Sequence, residues 1–303
     1  MKMLFSTLPL EFSAIDTSFY TTRNITLLVA RLDRIHPVVS GNKLYKLHYF
    51  MEDALASGYQ KVVTFGGAYS NHLVATAYAC KISGLQSVGI VRGERPALLS
   101  HTLMACESYG MQLQFISREA YKQKERHNFK NEMRTTDSRD ILIPEGGYHP
   151  DGAKGAALIM DQLNDVHATH VCTAIGTATT IAGLLKNRKN NETVIGVPVL
   201  KNMTGIPERI SFLNNEQISN DVTLFDDYHF GGYAKKTTEL INFMNAFYQQ
   251  HNLPTDFVYT AKMMYAVIDK IKSGYFPEGS IIVCLHTGGL QGNASFPPGT
   301  LVF

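Results

Sequence analysis

The sequence predicts an α/β fold built on parallel sheets, and three observations predict it. Short β-branched runs alternate with longer stretches of helical period. No low-complexity linker or solenoid-length repeat interrupts the series, and three of the runs end directly in glycine-containing turns. Sheets of this kind are buried on both faces by their crossover helices, so helices are expected on both sides.

In chain order, KVVTF precedes a helical pattern from Asn71 to Ser83, and SVGIV precedes one from Ala97 to Tyr109. LQFI leads into Glu119 to Met133, and ILI into Asp151 to Leu163. HVCTAI is followed by a helix from about Thr179, then by TVIGVPV. SIIVCL, residues 280–285, comes last, after helices near 235–250 and 260–273. With 303 residues and 45% hydrophobic content, the chain is long enough for two lobes and a large core.

Charge and cysteine usage narrow the function. Lys and Arg number 28 against 26 Asp and Glu, a net charge of +2 spread along the chain, which offers no basic stripe for nucleic acid or a membrane surface. A small-molecule partner is expected. Cys80, Cys106, Cys172 and Cys284 are far apart, lie in apolar surroundings and form no C-x-x-C pair. That argues against a metal site and against a disulfide framework, leaving buried free thiols in a reducing compartment. The start, MKMLFSTLPLEF, is interrupted by Pro9 and Glu11 before a signal-peptide core forms, and no apolar run is long enough to span a bilayer. A cytoplasmic location is the expectation.

The turns carry the chemical information. In parallel sheets, ligands sit outside the carboxyl ends of strands, where N–H groups at helix starts hold anions. KVVTF runs into GGAYSNHL, HVCTAI into GTATTIAGLL and SIIVCL into HTGGLQG. None spells G-x-G-x-x-G, and GTATTIAGLL lacks the Lys-Ser/Thr of a P-loop, so a phosphate on something other than ATP or NAD fits better. Upstream, VVSGNKLYKL puts Lys43 and Lys46 three residues apart where the pattern turns helical. A lysine near a phosphate cradle, in a chain without a metal cluster, suggests a pyridoxal phosphate Schiff base. That chemistry needs an amine whose pKa falls through desolvation and a neighbouring cation, and Lys46 is placed to supply the cation.

RLDRIHPVVSGNKLYKL, TFGGAYSNH, IPEGG, AIGTATTIAGLL, DYHFGGYAK, PTDFVYTAKMMY and HTGGLQG, in this order from about residue 31 to 292, resemble the 1-aminocyclopropane-1-carboxylate deaminase and D-cysteine desulfhydrase family. The resemblance implies a fold type II, tryptophan synthase β-like enzyme with pyridoxal 5′-phosphate held between two lobes. Residues 1–48 and 142–303 would form the large lobe and 49–141 the small one, in a protein that is typically a homodimer. Position by position it implies Lys43 as the Schiff-base lysine and Lys46 near the phosphate. Asn71 would meet the ring hydroxyl and Ser70 the substrate carboxylate. Gly176, Thr177, Ala178, Thr179 and Thr180 would form the phosphate loop, and Tyr233 and Tyr259 would line the substrate pocket. Helix capping by Ser70 and core packing by the tyrosines are the plainer alternatives.

The chain also departs from the family pattern. Relatives commonly carry Gly-Gly where Ala178 and Thr179 stand and a glycine at Ala261, so a positive φ at either place would cost about 1–2 kcal/mol. Tyr45 replaces a frequent arginine between the two lysines. Thr260 stands where the cyclopropane deaminases have glutamate, and Thr287 where they have an apolar residue. Either hydroxyl is a candidate partner of the pyridine nitrogen, and neither supports a pyridinium charge as a carboxylate would. The resemblance therefore leans towards elimination of a good β-leaving group from a small amino acid, D-cysteine first, over opening of the cyclopropane ring.

Overall fold

The computed structural model describes residues 7–124, 139–189, 191–216 and 222–303. Among them are ten strands in two sheets. The larger comprises β1 (Phe12–Ile15), β2 (Thr26–Ala30), β7 (His170–Ile175), β8 (Thr193–Pro198), β9 (Thr223–Leu224) and β10 (Ile281–Leu285), in the order β1-β2-β10-β7-β8-β9. Only β1 runs antiparallel. The smaller sheet is wholly parallel, with order β5-β4-β3-β6 from β3 (Lys61–Gly66), β4 (Gln86–Arg92), β5 (Met111–Ile116) and β6 (Asp140–Ile143). The expected α/β architecture with parallel-rich sheets is what forms. Because β6 pairs with β3 through Ile143, the small sheet continues two residues past position 141.

Nine α-helices pack around these sheets among the described residues: α1 (Asn42–Ala56), α2 (Asn71–Ser83), α3 (His101–Ser108), α4 (Arg118–Lys122), α5 (Pro150–Asp161), α6 (Thr179–Lys186), α7 (Ile206–Asn214), α8 (Thr238–His251) and α9 (Thr260–Lys272). α2 has the predicted limits. α3 starts four residues later than Ala97 because Ser100 caps it, its hydroxyl accepting from Leu103 N–H. Of the helix expected from Glu119 to Met133, α4 is the opening turn, and residues 125–133 lie outside the described residues.

The large sheet is buried on both faces. One cluster gathers Val171, Val283 and Leu285 with Leu44, Leu47, Ala153, Ala156, Ile181 and Ile210 from α1, α5, α6 and α7. The other gathers Cys172, Ile195 and Cys284 with Phe247, Met263, Met264 and Ile271 from α8 and α9. On the first face the helices approach closely because glycines allow it. A Cβ on Gly155 would sit 2.0 Å from the Tyr45 carbonyl oxygen, and one on Gly183 would sit 2.4 Å from that of Ala153. This packing fixes the N-termini of α1 and α6, which face the site.

The four cysteines are buried free thiols. Burial pushes Cys80 and Cys106 up to about 12, so neither is a reactive thiolate. Among the described residues no helix is long and apolar enough to cross a membrane, and no cluster of His, Cys, Asp or Glu has the make-up of a metal site.

Candidate active site

The three turns after β3, β7 and β10 converge, together with the start of α1, on one cleft of about 500 Å³. Lys43, Lys46, Ser70, Asn71, residues 176–180, Tyr233, Tyr259 and Thr287 all line it. Strand ends at Gly66, Ile175 and Leu285, far apart in sequence, thus deliver their turns to one place, as parallel topology requires. Gly41, the residue before α1, adopts φ 68°, and a Cβ there would fall 2.1 Å from the Thr287 carbonyl oxygen. Only glycine lets the GNK turn lie against the HTGG turn.

Lys43 is half-buried, and its ammonium donates to Asn42 Oδ1 at 2.6 Å. The Asn42 amide in turn donates to Thr180 Oγ1 at 2.8 Å, tying the lysine to the 176–180 loop. Desolvation lowers Lys43 to about 8, against an opposing pull from Asp256. Lys46 is 4% exposed, and among the described residues its Nζ reaches only the Gly146 carbonyl oxygen, at 3.3 Å. Burial, and then the charge on Lys43, hold Lys46 well below the ordinary lysine value. The expected effect of one cation on the other therefore runs the other way round. Lys43 is depressed by burial, and the more deeply buried Lys46 is the one that feels its neighbour.

Ser70 and Asn71 open α2. Ser70 Oγ accepts from Leu73 N–H at 3.3 Å, so the capping role is present. A capping hydroxyl that accepts still has its proton to donate, and Ser70 also lines the cleft, so the two readings are compatible. The Asn71 amide donates to the Ser40 carbonyl at 3.5 Å, which turns it towards the lysine-bearing turn. In the loop after β7, Ala178 takes φ 68° with no side-chain cap on α6, leaving the first N–H groups of that helix available to an anion. Thr177 and Thr179 hydroxyls lie 2.8 Å apart at its edge. The glycine-to-alanine departure thus strains the backbone at Ala178. It does not at Ala261, which sits inside α9 with an ordinary helical φ.

Tyr233 and Tyr259 meet across the cleft, hydroxyls 3.4 Å apart. Burial, with Tyr233 alongside, raises Tyr259 well above the usual phenol range. The two threonines separate. Thr287 lines the cleft, whereas Thr260 is fully buried behind its wall and is corrected as a pocket residue, because its hydroxyl bonds to Asp256 Oδ1. Tyr45 is absent from the cleft lining and is buried in the core cluster that includes α5 residues.

Asp256 and Asn42 are the site residues that sequence reasoning missed. Asp256 is fully buried in the cleft wall, and its carboxylate accepts from the N–H groups of Val258, Tyr259 and Thr260. Together with the Thr260 hydroxyl this occupies both oxygens. An aspartate just ahead of a helical pattern is an N-terminal signal, and PTDFVYT carries it. Glu145, from the quoted IPEGG, is also in the lining, paired with Lys124 at 3.2 Å.

A sequence profile described as "Pyridoxal-phosphate dependent enzyme" matches residues 17–288. A Thermotoga maritima protein named "Putative 1-aminocyclopropane-1-carboxylate deaminase" is 33% identical over 284 residues, covering 88% of this chain and 89% of its own length. A Klebsiella pneumoniae "D-cysteine desulfhydrase" is 27% identical, covering 90% and 89%. Among solved structures, one described as an ACC deaminase homologue superposes with a TM-score of 0.78 at 24% identity, covering 97% of this chain and 92% of its own, a likeness of fold.

Proposed function

Since this chain belongs to the pyridoxal-phosphate dependent enzymes, in the group of the 1-aminocyclopropane-1-carboxylate deaminases and D-cysteine desulfhydrases, we propose that it catalyses α,β-elimination on a small amino acid, with D-cysteine the substrate the site suits best. The residues present fit the cofactor. A half-buried lysine of lowered pKa sits beside a buried one that makes no ion pair among the described residues, and the uncapped N-terminus of α6 lines the same cleft with the threonine hydroxyls. In this reading Lys43 holds the aldehyde, and Lys46 with residues 176–180 holds the phosphate. Asn71 faces the ring hydroxyl, and Thr287 is the hydroxyl nearest in role to the ring nitrogen. Residues 1–48 and 142–303 serve as the cofactor lobe, 49–141 as the small lobe, and the assembly is a homodimer, which light scattering would test.

When bound, pyridoxal phosphate engages the substrate amino group and withdraws electron density from Cα. The Ser70 hydroxyl, with the α2 N-terminus behind it, orients the substrate carboxylate. Lys43 Nζ, freed once the substrate amine has taken its place at the aldehyde and lowered to about 8, is neutral in roughly a tenth of molecules near pH 7 and would take the Cα proton. Cβ–S cleavage releases hydrosulfide, which takes its proton from water, while the Tyr259 hydroxyl, held protonated by burial and backed by Tyr233, donates a hydrogen bond to the departing sulfur. With one water consumed, D-cysteine yields pyruvate, hydrogen sulfide and ammonia.

One observation carries the choice of reaction. Among the described residues, the carboxylate beside Thr260 is Asp256, whose oxygens are taken up by α9, and the other carboxylate in the lining, Glu145, is paired with Lys124, so neither stands free to support positive charge on the ring nitrogen. Substrates that leave with their own electron pair suffer least from that lack. Purified, cofactor-loaded protein assayed on D- and L-amino acids and on the cyclopropane amino acid is expected to make pyruvate and sulfide from D-cysteine, with little ring opening. Efficient ring opening without β-elimination would overturn the choice. Loaded protein with no turnover on any substrate would indicate a cofactor-binding homologue instead.

A further inference from the structure

Lys262, on the first turn of α9 and three residues after Tyr259, has no exposed surface, and all three of its hydrogen bonds run to backbone carbonyls. These are Gly232 O at 2.7 Å, His229 O at 2.9 Å and Val199 O at 3.4 Å. Burial lowers it to about 8 while Asp256 opposes the shift, so the ammonium is the form present near neutral pH.

The segment these carbonyls belong to is a pair of successive turns in backbone that L-residues avoid. Gly232 N–H donates to His229 O at 3.0 Å, with Phe230 and Gly231 between them at φ 49° and 82°. Lys235 N–H donates to Gly232 O at 3.2 Å, with Tyr233 and Ala234 between them and Ala234 at φ 53°. Such turns ordinarily take glycine or asparagine where Phe230 and Ala234 stand. The two carbonyls that close the turns are the same two that Lys262 engages most closely. Tyr233 follows directly on the second of these anchor points, inside the second turn, and its hydroxyl faces that of Tyr259, which begins the helix carrying Lys262.

We propose that Lys262 is a positioning residue: its ammonium clamps the two turns of residues 229–235 onto α9 and so sets Tyr233 against Tyr259 in the cleft. The functional half of this rests on the reading of Tyr233 as a substrate-facing residue; the clamp itself does not. Lys262 touches neither the cleft nor the reacting atoms, and it acts through Tyr233. Three converging carbonyl dipoles ask for a cation with several donors, which a neutral side chain replaces only in part.

Limited proteolysis of cofactor-loaded protein with a broad-specificity protease tests the clamp without reference to turnover. In Lys262→Met, cleavage within 229–235 is expected to rise roughly tenfold or more while the rest of the pattern is unchanged. Lys262→Gln, which keeps two donors without the charge, should be intermediate and guards against a Met variant that does not fold. In turnover, Lys262→Met should lower kcat roughly tenfold or more, and adding Tyr233→Phe should cost little further, since the phenol is already misplaced. Wild-type protection of 229–235 in both Lys262 variants would overturn the clamp. Faster cleavage with additive losses from Lys262→Met and Tyr233→Phe would keep the clamp and overturn its action through Tyr233.

Discussion

Lys43 and Ser70 carry the most direct tests at the level of single residues. Attack on an aldehyde needs the neutral amine, and Lys43 is lowered to about 8 by burial. Cofactor uptake by stripped protein, followed by absorbance, should therefore quicken about tenfold per pH unit up to that value and level off above it. A plateau reached only near the ordinary lysine value, or borohydride trapping that maps to another lysine, would sink the assignment. Ser70 has two duties that one substitution separates. Ser70→Ala should cost about 1 kcal/mol in stability as the cap on Leu73 N–H is lost, and turnover should fall much further while cofactor absorbance persists. Equal loss of cofactor and turnover would make the residue mainly structural. Much of this site was legible in the sequence because its chemistry sits in short turn motifs, where GNK, YSNH, GTATT and HTGG keep donor types at fixed offsets. Asp256 left a local signal in PTDFVYT that went unread, since its carboxylate caps the N–H groups just after it, whereas Lys262 was not legible: its importance lies in the carbonyls that distant segments present to it, which no local pattern encodes.

Elements show the same division between local and distant causes. α2 could be delimited because Ser70 and Gly84 punctuate it as cap and left-handed stop. β1 and β2 were not foreseen. β1 is only four residues, and β2 is placed by its pairing with β10, about 250 residues later, which periodicity cannot reveal. The close packing of α5 against α6 was equally hidden, since KGAALIM and TTIAGLL read as ordinary amphipathic helices. It yields a prediction. Gly183→Ala would set a Cβ 2.4 Å from the Ala153 carbonyl oxygen and 2.5 Å from Ala157 N, so the helices must part. A loss of about 1–3 kcal/mol is expected in denaturant unfolding, despite alanine's better helix propensity. A stabilised variant would mean that α6 slides without cost. The N-terminus of α6 faces the cleft, so cofactor affinity should weaken alongside.

For the whole molecule, the decisive feature is that β10 fills the gap between β2 and β7, so the large sheet closes only when the last strand arrives. A chain ending at residue 279 would leave β2 and β7 with unpaired edges and both core clusters open, and it should show no cooperative unfolding transition in calorimetry. A sharp transition in that truncation would show that the sheet tolerates the gap. The same burial reaches the sulfur atoms. Cys284 stands opposite Cys172 on the central strands, Cys80 and Cys106 lie inside helix-lined cores, and the sequence has no tryptophan. The native protein therefore has no indole emitter, and its four cysteines are all buried. One cysteine introduced at Leu98, which is 88% exposed, would accept a maleimide dye or spin label with no native thiol competing, and one introduced tryptophan would be the sole indole emitter.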